Sequence, residues 1–265
     1  MFNLVKNELY KLFKTKKIYV FLFIIFVYNF LPSLEKVMGT IGDEILINGQ
    51  TTPFYMLNFM ITNIFPIFII VALADMVTGE YASGTLKLPL LHPVSRVNLL
   101  AAKAIALTIV LLFILMFSLI LSYIMGTAIF GWGDQFIYQE PDQALQYATF
   151  YSTKEGIAIT FISYVISAIP LIAFGLVIMF LALIINSSGV LAGLSIGLVI
   201  FLSIFGEVVV AIRPFLIIDA LSMFKTLFIT KNMSYFIVNM IVTALYGIVF
   251  FLGSIYLFKN KDLLH

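Results

Sequence analysis

The sequence contains no cysteine, only two histidines and few charged residues, and each shortage excludes a class of function. Without cysteine there is no disulfide and no cysteine-based metal or redox site. The two histidines, His92 and His265, are too few for most histidine-dependent catalysis. Charged residues make up 11% of the 265 positions and hydrophobic residues 62%, whereas soluble domains are about 25% charged. This composition predicts an integral membrane protein.

The few charges that are present do not form a nucleic-acid surface. The net charge is only +2, and no basic patch with interleaved aromatic residues occurs outside the amino-terminal segment. Binding to nucleic acid depends on such a patch. We therefore expect membrane lipid, and no nucleic acid, among the partners of this chain.

Long apolar runs predict an all-α membrane protein with six transmembrane helices in one domain, residues 1–265. One span needs about twenty apolar residues. A break at 186–189 divides the apolar run 157–206 into the two arms of a helical hairpin. Pro66 and Pro170 are expected to kink the second and fourth spans. The predicted spans are residues 18–34, 54–74, 104–125, the two arms of 157–206, and 235–258.

An amphipathic helix is predicted for the first seventeen residues, 1–17. Its apolar residues fall on one helical face and its charged residues largely elsewhere, which is typical of a helix lying on an anionic membrane surface. Basic residues followed by an apolar run also resemble a secretory signal peptide, but no small-x-small cleavage site follows. We therefore expect an uncleaved first span. The apolar face holds Phe2, Val5, Leu9, Leu12 and Phe13, and the charged residues are Lys6, Glu8, Lys11 and Lys14.

The segment 207–234 is apolar overall but carries too many charges for a full span. Charged side chains at the bilayer centre are costly. We predict an outer re-entrant or interfacial helical pair before the last span. Within it, Glu207, Arg213 and Asp219 either line the exit of a cargo path or face water at the edge of the bilayer.

The distribution of lysine and arginine predicts that both termini are cytosolic. With that orientation the cytosolic segments hold ten Lys/Arg and four acids, and the opposite side holds five and nine. Cytoplasmic loops of membrane proteins carry the excess of Lys/Arg. The segment 75–103 then also faces the cytosol.

Residues 75–103 form a polar island between the second and third spans. Thr78, Gly79 and Glu80 can open a short helix, two prolines interrupt it, and Ser95 is expected to cap the next helix. A short helix held between two spans can move both of them when it is pushed. This geometry suits a force-transmitting loop.

The island also carries an ordered motif. Residues 79–87 read GEYASGTLK and residues 91–96 read LHPVSR, followed by Leu99, Leu100 and Lys103. In this order they resemble the cytoplasmic loop of type-2 ABC exporter permeases. The resemblance implies a coupling helix that docks on a separate ATPase subunit. The alternative interpretation is an ordinary solvated loop.

The same resemblance implies a subunit that is not itself an enzyme and needs no cofactor. ATP and Mg²⁺ would be bound by a cytosolic ABC ATPase subunit, and a second permease copy or a homologue would complete the assembly in the bacterial cell membrane. The cargo would be a peptide, an antibiotic or a lipid-like molecule. The coupling residues would be Glu80, Tyr81, Ser83, Gly84, Thr85 and Arg96.

Two of these residues have more than one interpretation. Glu80 either contacts the ATPase or braces the loop, or it is a solvated acid favoured at a helix start. Arg96 either pairs with Glu80 or Asp75, or anchors at lipid phosphates. Nearby, Gly79 and Gly84 fit the G-x-x-x-x-G of a P-loop, but Thr85 stands where the lysine is required. The chain is therefore not expected to bind ATP.

A glycine stripe, Gly189, Gly193 and Gly197, recurs every four residues in the fifth span. Such a stripe lets two helices approach closely, and in the resembled family the fifth span lies near the contact between permease subunits. We interpret the stripe as the dimer seam. It overlaps the G-x-S-x-G pattern of serine hydrolases around Ser195, but neither histidine is expected to reach that depth as a base.

Two other functions compete with the exporter permease. A secondary transporter or channel would place buried carboxylates at the midplane of several spans, and we place none there. An intramembrane serine hydrolase would need a base beside Ser195. The sequence therefore favours the permease.

Overall fold

The computed structural model describes residues 1–37, 47–85, 95–138 and 148–260, with side chains described for all of these except 32–37. The described chain is mostly helical. Its α-helices are α1 Phe2–Lys14, α2 Lys16–Val37, α3 Thr52–Thr62, α4 Ile64–Leu73, α5 Glu80–Ala82, α6 Arg96–Phe130, α7 Thr153–Ile184, α8 Ser188–Val208, α9 Ile217–Ala220, α10 Met223–Phe228 and α11 Met233–Asn260.

Five helical stretches of the described chain are long and apolar enough to cross a membrane. This confirms the expectation of a multi-pass, helical membrane protein. The predicted first span, 18–34, falls within α2 but is not among the five, so the count of six stays a prediction. The five are Ile64–Ala82, Arg96–Phe130, Thr153–Ile184, Ser188–Val208 and Met233–Asn260.

The second predicted span is divided into two helices near Pro66, where a kink was expected. α3 ends at Thr62 and α4 begins at Ile64, so that Pro66 is the third residue of α4. The first four N–H groups of a helix have no intrahelical partner, and the missing N–H of proline costs nothing there. Pro66 therefore sits in the first turn of a new helix.

The expected helix start at Thr78 is wrong. α4 continues into a π-helix, Ala74–Gly79, and then into α5, so the helical stretch is continuous through Ala82. Thr78 is fully buried within it and donates a hydrogen bond to the carbonyl oxygen of Ala182 at 3.1 Å. Residues 86–94 of the island, which include its two prolines, lie outside the described residues.

The predicted break between two helices is confirmed. α7 ends at Ile184 and α8 begins at Ser188, so the turn falls at the predicted break. α7 contains Pro170 and runs on through it. The predicted segment 207–234 begins within the last turn of α8 and ends within the first turn of α11. Between them it forms a 3₁₀ helix, Arg213–Phe215, and the short helices α9 and α10, which are too short to cross a membrane.

The chain divides into two compact units. The first comprises Met1–Lys16, Ile61–Leu112 and Ser167–His265, and the second Lys17–Met60 and Phe113–Ile166. The second unit contains a short antiparallel pair not anticipated from the sequence, β1 Phe136–Tyr138 with β2 Thr149–Tyr151. Phe54 packs edge-on against the rings of Phe136 and Tyr138.

In the first unit, α1 is the predicted amino-terminal helix, but one residue lies on a different face than expected. Val5, Glu8 and Leu12 are the buried residues of α1, whereas Phe2 is 80% exposed. The spacing of three and four residues places Glu8 on the apolar stripe. The expectation that Glu8 lies with the solvated charges is therefore wrong.

Candidate functional site

A closed ring of four charged side chains connects α1, the end of the helical stretch Ile64–Ala82, and α6. Lys103 Nζ lies 2.8 Å from Glu8 Oε2 and 2.7 Å from Glu80 Oε2. Lys11 Nζ lies 2.8 Å from Glu8 Oε1 and 2.8 Å from Glu80 Oε1. Each carboxylate bridges both ammonium groups, and each ammonium bridges both carboxylates. We call these four residues the charge ring.

Lys103 is the buried centre of the charge ring. An ammonium group has three donors. Lys103 uses one for Glu8, one for Glu80 and the third for the carbonyl oxygen of Met76 at 2.8 Å. Met76 belongs to the π-helix, so the irregular turn supplies one of the three acceptors. Every donor of this buried cation is used.

Burial makes the charge ring hard to open. The side chains of Lys103 and Glu8 are each 2% exposed, and that of Glu80 is 16% exposed. Two acids and two cations balance to zero. Removing one member of a buried ion pair strands an uncompensated charge, which costs about 3–5 kcal/mol. The three elements that hold the ring are thus expected to move together.

Lys11 forms the outer, half-exposed side of the ring. Burial lowers the pKa of its ammonium, but the hydrogen bonds to Glu8 and Glu80 outweigh this effect, and the net pKa is raised above 10.5. Lys11 is therefore charged at neutral pH. It also makes an i, i+3 pair with Glu8 along α1, which fixes both side chains on adjacent turns of one helix.

Local sequence explains how Glu80 reaches the ring. A π-turn places one more residue in the turn than an α-helix does and is frequent at functional sites. The π-helix Ala74–Gly79 immediately precedes Glu80 and so shifts the direction of the side chains that follow. Glu80 is thereby directed to Lys103 and Lys11.

The predicted coupling residues after Glu80 form a hydrogen-bonded turn. The hydroxyl of Ser83 donates to the carbonyl oxygen of Gly79 at 2.8 Å and lies 2.9 Å from the Thr85 hydroxyl. Gly84 has φ +69°, the left-handed region that favours glycine. Ser83, Gly84 and Thr85 are exposed, and Tyr81 is partly exposed. The turn is therefore accessible to a partner.

The structure places Arg96 against the last span instead of in the charge ring. Its Nη1 donates to the carbonyl oxygens of Phe258 and Lys259, each at 3.1 Å. These carbonyls belong to the last turn of α11, where the helix leaves acceptors without an intrahelical partner. The neighbouring Ser95 accepts a hydrogen bond from the Asn98 amide at 3.1 Å, so the expected helix cap at Ser95 is confirmed.

The glycine stripe lies on an open face of α8. A Cβ atom added at Gly189, Gly193 or Gly197 would meet nothing within 4 Å. Ser195 lies on the opposite, buried side, and its hydroxyl has no hydrogen-bond partner among the described residues. Both histidines fall outside the described part of the chain. Among the described residues, the stripe is therefore not used for packing.

The predicted exit residues come together around a second feature, a cavity of about 190 Å³. Arg213 Nε donates to Asp219 Oδ1 at 2.8 Å, and the Tyr235 hydroxyl donates to Asp219 Oδ2 at 2.7 Å. The hydrogen bond to Asp219 raises the pKa of the Arg213 guanidinium. Glu207 lines the same cavity. The structure thus brings the three predicted exit residues, Glu207, Arg213 and Asp219, together in the lining of one cavity.

The contact between Lys103 and Glu8 in the charge ring was not predicted from the sequence. Lys103 is the last residue of the loop motif, and Glu8 stands ninety-five positions earlier. A usable signal existed, because Glu8 is the only acid in residues 1–17 and shares the helical stripe of Val5 and Leu12. A charged acid on a buried apolar stripe favours a cation as its partner. Among the described residues, no group of three His, Asp or Glu is placed to hold a metal.

One protein family matches most of the chain. A family described as "Protein of unknown function (DUF2705)" matches residues 44–264. No curated protein matches the chain.

Proposed function

The chain belongs to the DUF2705 family, and we propose that it is the membrane-spanning permease subunit of an ATP-driven exporter. In this proposal the segment 75–103 and α1 receive force from a separate cytosolic ABC ATPase. Both termini face the cytosol, and the assembly lies in the bacterial cell membrane. The chain itself holds no ATP or Mg²⁺.

The charge ring carries this proposal. It fastens α1, the end of Ile64–Ala82 and the start of α6 to one another through contacts of 2.7 to 2.8 Å. The exposed turn at Ser83, Gly84 and Thr85 begins three residues after Glu80. A push on that turn is transmitted through Glu80 to Lys103 in one membrane helix and to Glu8 in the amino-terminal helix. This is a rigid connection from a surface turn to two helical elements.

The position of the ring within the helices favours coupling over a secondary-transport mechanism. Lys103 is the eighth residue of the 35-residue helix α6, and Glu80 is third from the end of the stretch Ile64–Ala82. Secondary transporters typically hold their coupling ions near the bilayer midplane. A saturated ion network near the ends of two spans instead suits the transmission of force at the membrane surface.

Nucleotide can drive such a subunit only by selecting between two of its conformations. ATP-bound ATPase subunits must bind one conformation more tightly than the other. The charge ring would keep α1 and α6 together in both conformations, so that they shift as one body. Cargo would then leave outward.

A second permease copy would meet this chain at the glycine stripe. α8 is a candidate membrane helix of which only 17% of the apolar stretch is buried. Its open glycine face permits close approach of another helix, where van der Waals contact drives association in lipid. Few charges within the spans favour an amphipathic peptide, an antibiotic or a lipid-like molecule as cargo.

Purification from the native membrane tests the proposal. The tagged chain, extracted in mild detergent, should retain a protein with an ABC nucleotide-binding domain, and the preparation should hydrolyse ATP in a vanadate-sensitive manner. The chain freed of that protein should hydrolyse none. Hydrolysis by the isolated chain, or activity of the chain without any nucleotide-binding protein, would overturn the proposal.

A further inference from the structure

The cavity beside Arg213 contains charged groups whose hydrogen-bonding capacity is only partly used among the described residues. It is about 190 Å³ in volume, more than tenfold the roughly 10–15 Å³ that admits one water molecule. Glu207, Arg213 and Asp219 line it together with the hydroxyls of Ser203 and Ser222. These groups present both signs of charge to one space.

Arg213 is held in a fixed orientation with its outer edge unused. Asp219 accepts from its Nε at 2.8 Å, and the Tyr235 hydroxyl occupies the other oxygen of Asp219 at 2.7 Å. The Arg213 side chain is 54% exposed, and the Nη groups of its guanidinium have no hydrogen-bond partner among the described residues. A guanidinium fork offers several donors in a plane that matches the oxygens of a phosphate. The unused edge is therefore suited to a phosphate.

Glu207 supplies the opposite charge. It is exposed, and its carboxylate makes no hydrogen bond among the described residues. It is also the penultimate residue of α8, where the helix dipole disfavours an acid. Arg213 acts on Glu207 electrostatically but makes no hydrogen bond to it among the described residues, so the carboxylate can still accept hydrogen bonds from an ammonium group.

The depth of the cavity matches the headgroup layer. α8 has 21 residues, which at 1.5 Å per residue is about 30 Å, the thickness of the hydrocarbon core. The cavity lies at the end of this helix. On the same side of α8 as Glu207, Ile200 and Ile204 are 55% and 57% exposed, so an apolar surface runs along the helix toward Glu207.

We propose that this cavity binds the zwitterionic headgroup of a phosphatidylethanolamine lipid. Arg213 holds the phosphate, Glu207 holds the ammonium, and the acyl chains lie along the exposed face of α8. Phosphatidylglycerol lacks the ammonium, and the methylated ammonium of phosphatidylcholine cannot donate hydrogen bonds. The proposal requires only that the chain is a membrane protein and does not depend on the exporter function.

Native mass spectrometry of the full chain tests this proposal. Protein released from nanodiscs that contain equal amounts of the three lipids should retain phosphatidylethanolamine in preference to the other two. Arg213→Gln should weaken retention about tenfold, as expected when a charge-assisted hydrogen bond is lost. Glu207→Gln should keep lipid bound but abolish the preference over phosphatidylglycerol. Lys154→Gln and Asp134→Asn alter exposed charges elsewhere and should change neither.

The two variants differ in structural risk. Arg213→Gln breaks the contact with Asp219, whereas Glu207→Gln removes no hydrogen bond within the described chain, so the selectivity change stands even where the first variant unfolds. Equal retention of the three lipids by the native chain would overturn the proposal. So would binding of soluble glycerophosphoethanolamine as tight as that of the lipid, which indicates a soluble ligand. Binding of a cationic peptide that depends on Glu207 but not on Arg213 would also overturn it in favour of peptide cargo.

Discussion

Lys103 Nζ lies 2.8 Å from Glu8 Oε2, although ninety-five residues separate them in the chain. Both side chains are 2% exposed. The contact joins the amino-terminal helix to a membrane-spanning helix beside the turn that we propose as the ATPase contact.

Replacing Lys103 alone should be more harmful than replacing it together with Glu8. Lys103→Met leaves two carboxylates with only Lys11, and we expect a loss of about 3–5 kcal/mol in the free energy of unfolding. Lys103→Met combined with Glu8→Gln restores neutrality and should lose less. Unfolding by SDS titration in mixed micelles measures both.

Lys154→Met is the control for this cycle, because Lys154 is exposed. We expect a change within about 0.5 kcal/mol. Strict additivity of the Lys103 and Glu8 substitutions would show that the two side chains do not interact, since contacting residues give non-additive effects.

Glu80→Ala and Ser83→Pro should each uncouple ATP hydrolysis from transport while insertion into the membrane stays normal. Glu80→Ala removes the connection between the charge ring and the exposed turn. Ser83→Pro removes the hydroxyl that holds the turn to the carbonyl oxygen of Gly79. Vanadate-sensitive ATPase activity of the purified assembly, with and without cargo extract, measures the coupling. Glu155→Ala, at an exposed acid of the other compact unit, is the control, and unchanged coupling in both loop variants would contradict the assigned role.

Gly84→Ala should loosen the turn without unfolding the protein. Left-handed backbone costs an L-residue roughly 1–2 kcal/mol, and Gly84 has φ +69°. Amide hydrogen exchange at residues 83 to 85 should accelerate about tenfold or more. Gly247→Ala is the matched control, since its helical backbone accepts alanine and the added Cβ lies at an ordinary 3.9 Å from its nearest neighbours. Acceleration of similar size at residues 83 to 85 in this control would argue against a conformational cause.

Gly193→Leu should separate two copies of the chain and leave each copy folded. The Cβ of the added side chain meets no atom within 4 Å among the described residues, so we expect the cost to fall on a helix packed from outside. Light scattering of the purified protein in detergent gives the mass of the assembly. A dimer of unchanged stability in this variant would exclude the stripe as the seam.

The contribution of Lys11 to stability should disappear only in strong alkali. Its folded pKa is raised above 10.5, so its stabilisation is complete below the unfolded pKa and is lost as pH rises through the folded value. The difference in melting temperature between the native chain and Lys11→Met should stay constant from pH 7 to about pH 10 and shrink above it. A difference that shrinks between pH 7 and pH 9 would contradict the raised pKa.

Features that follow from a local sequence pattern, either the length of an apolar run or a capping residue at its start, were predictable from the sequence. The hairpin break before Ser188 and the cap at Ser95 are examples, because lipid requires continuous helices and helix ends need capping side chains. The π-helix at Ala74–Gly79 has no repeating signature, and the paired strands at Phe136 and Tyr151 are only three residues long. The charge ring requires a pairing across ninety-five residues, which no local pattern contains.

The most direct test of the account uses the absence of native cysteine. Ser83→Cys provides a single thiol in the exposed turn, which a benzophenone maleimide can label and crosslink in native membranes. We predict labelling only from the cytosolic side and a light-induced crosslink to an ABC ATPase, with a yield that changes when ATP is trapped by vanadate. Labelling from the outer side, or crosslinks that never contain a nucleotide-binding protein, would contradict the account.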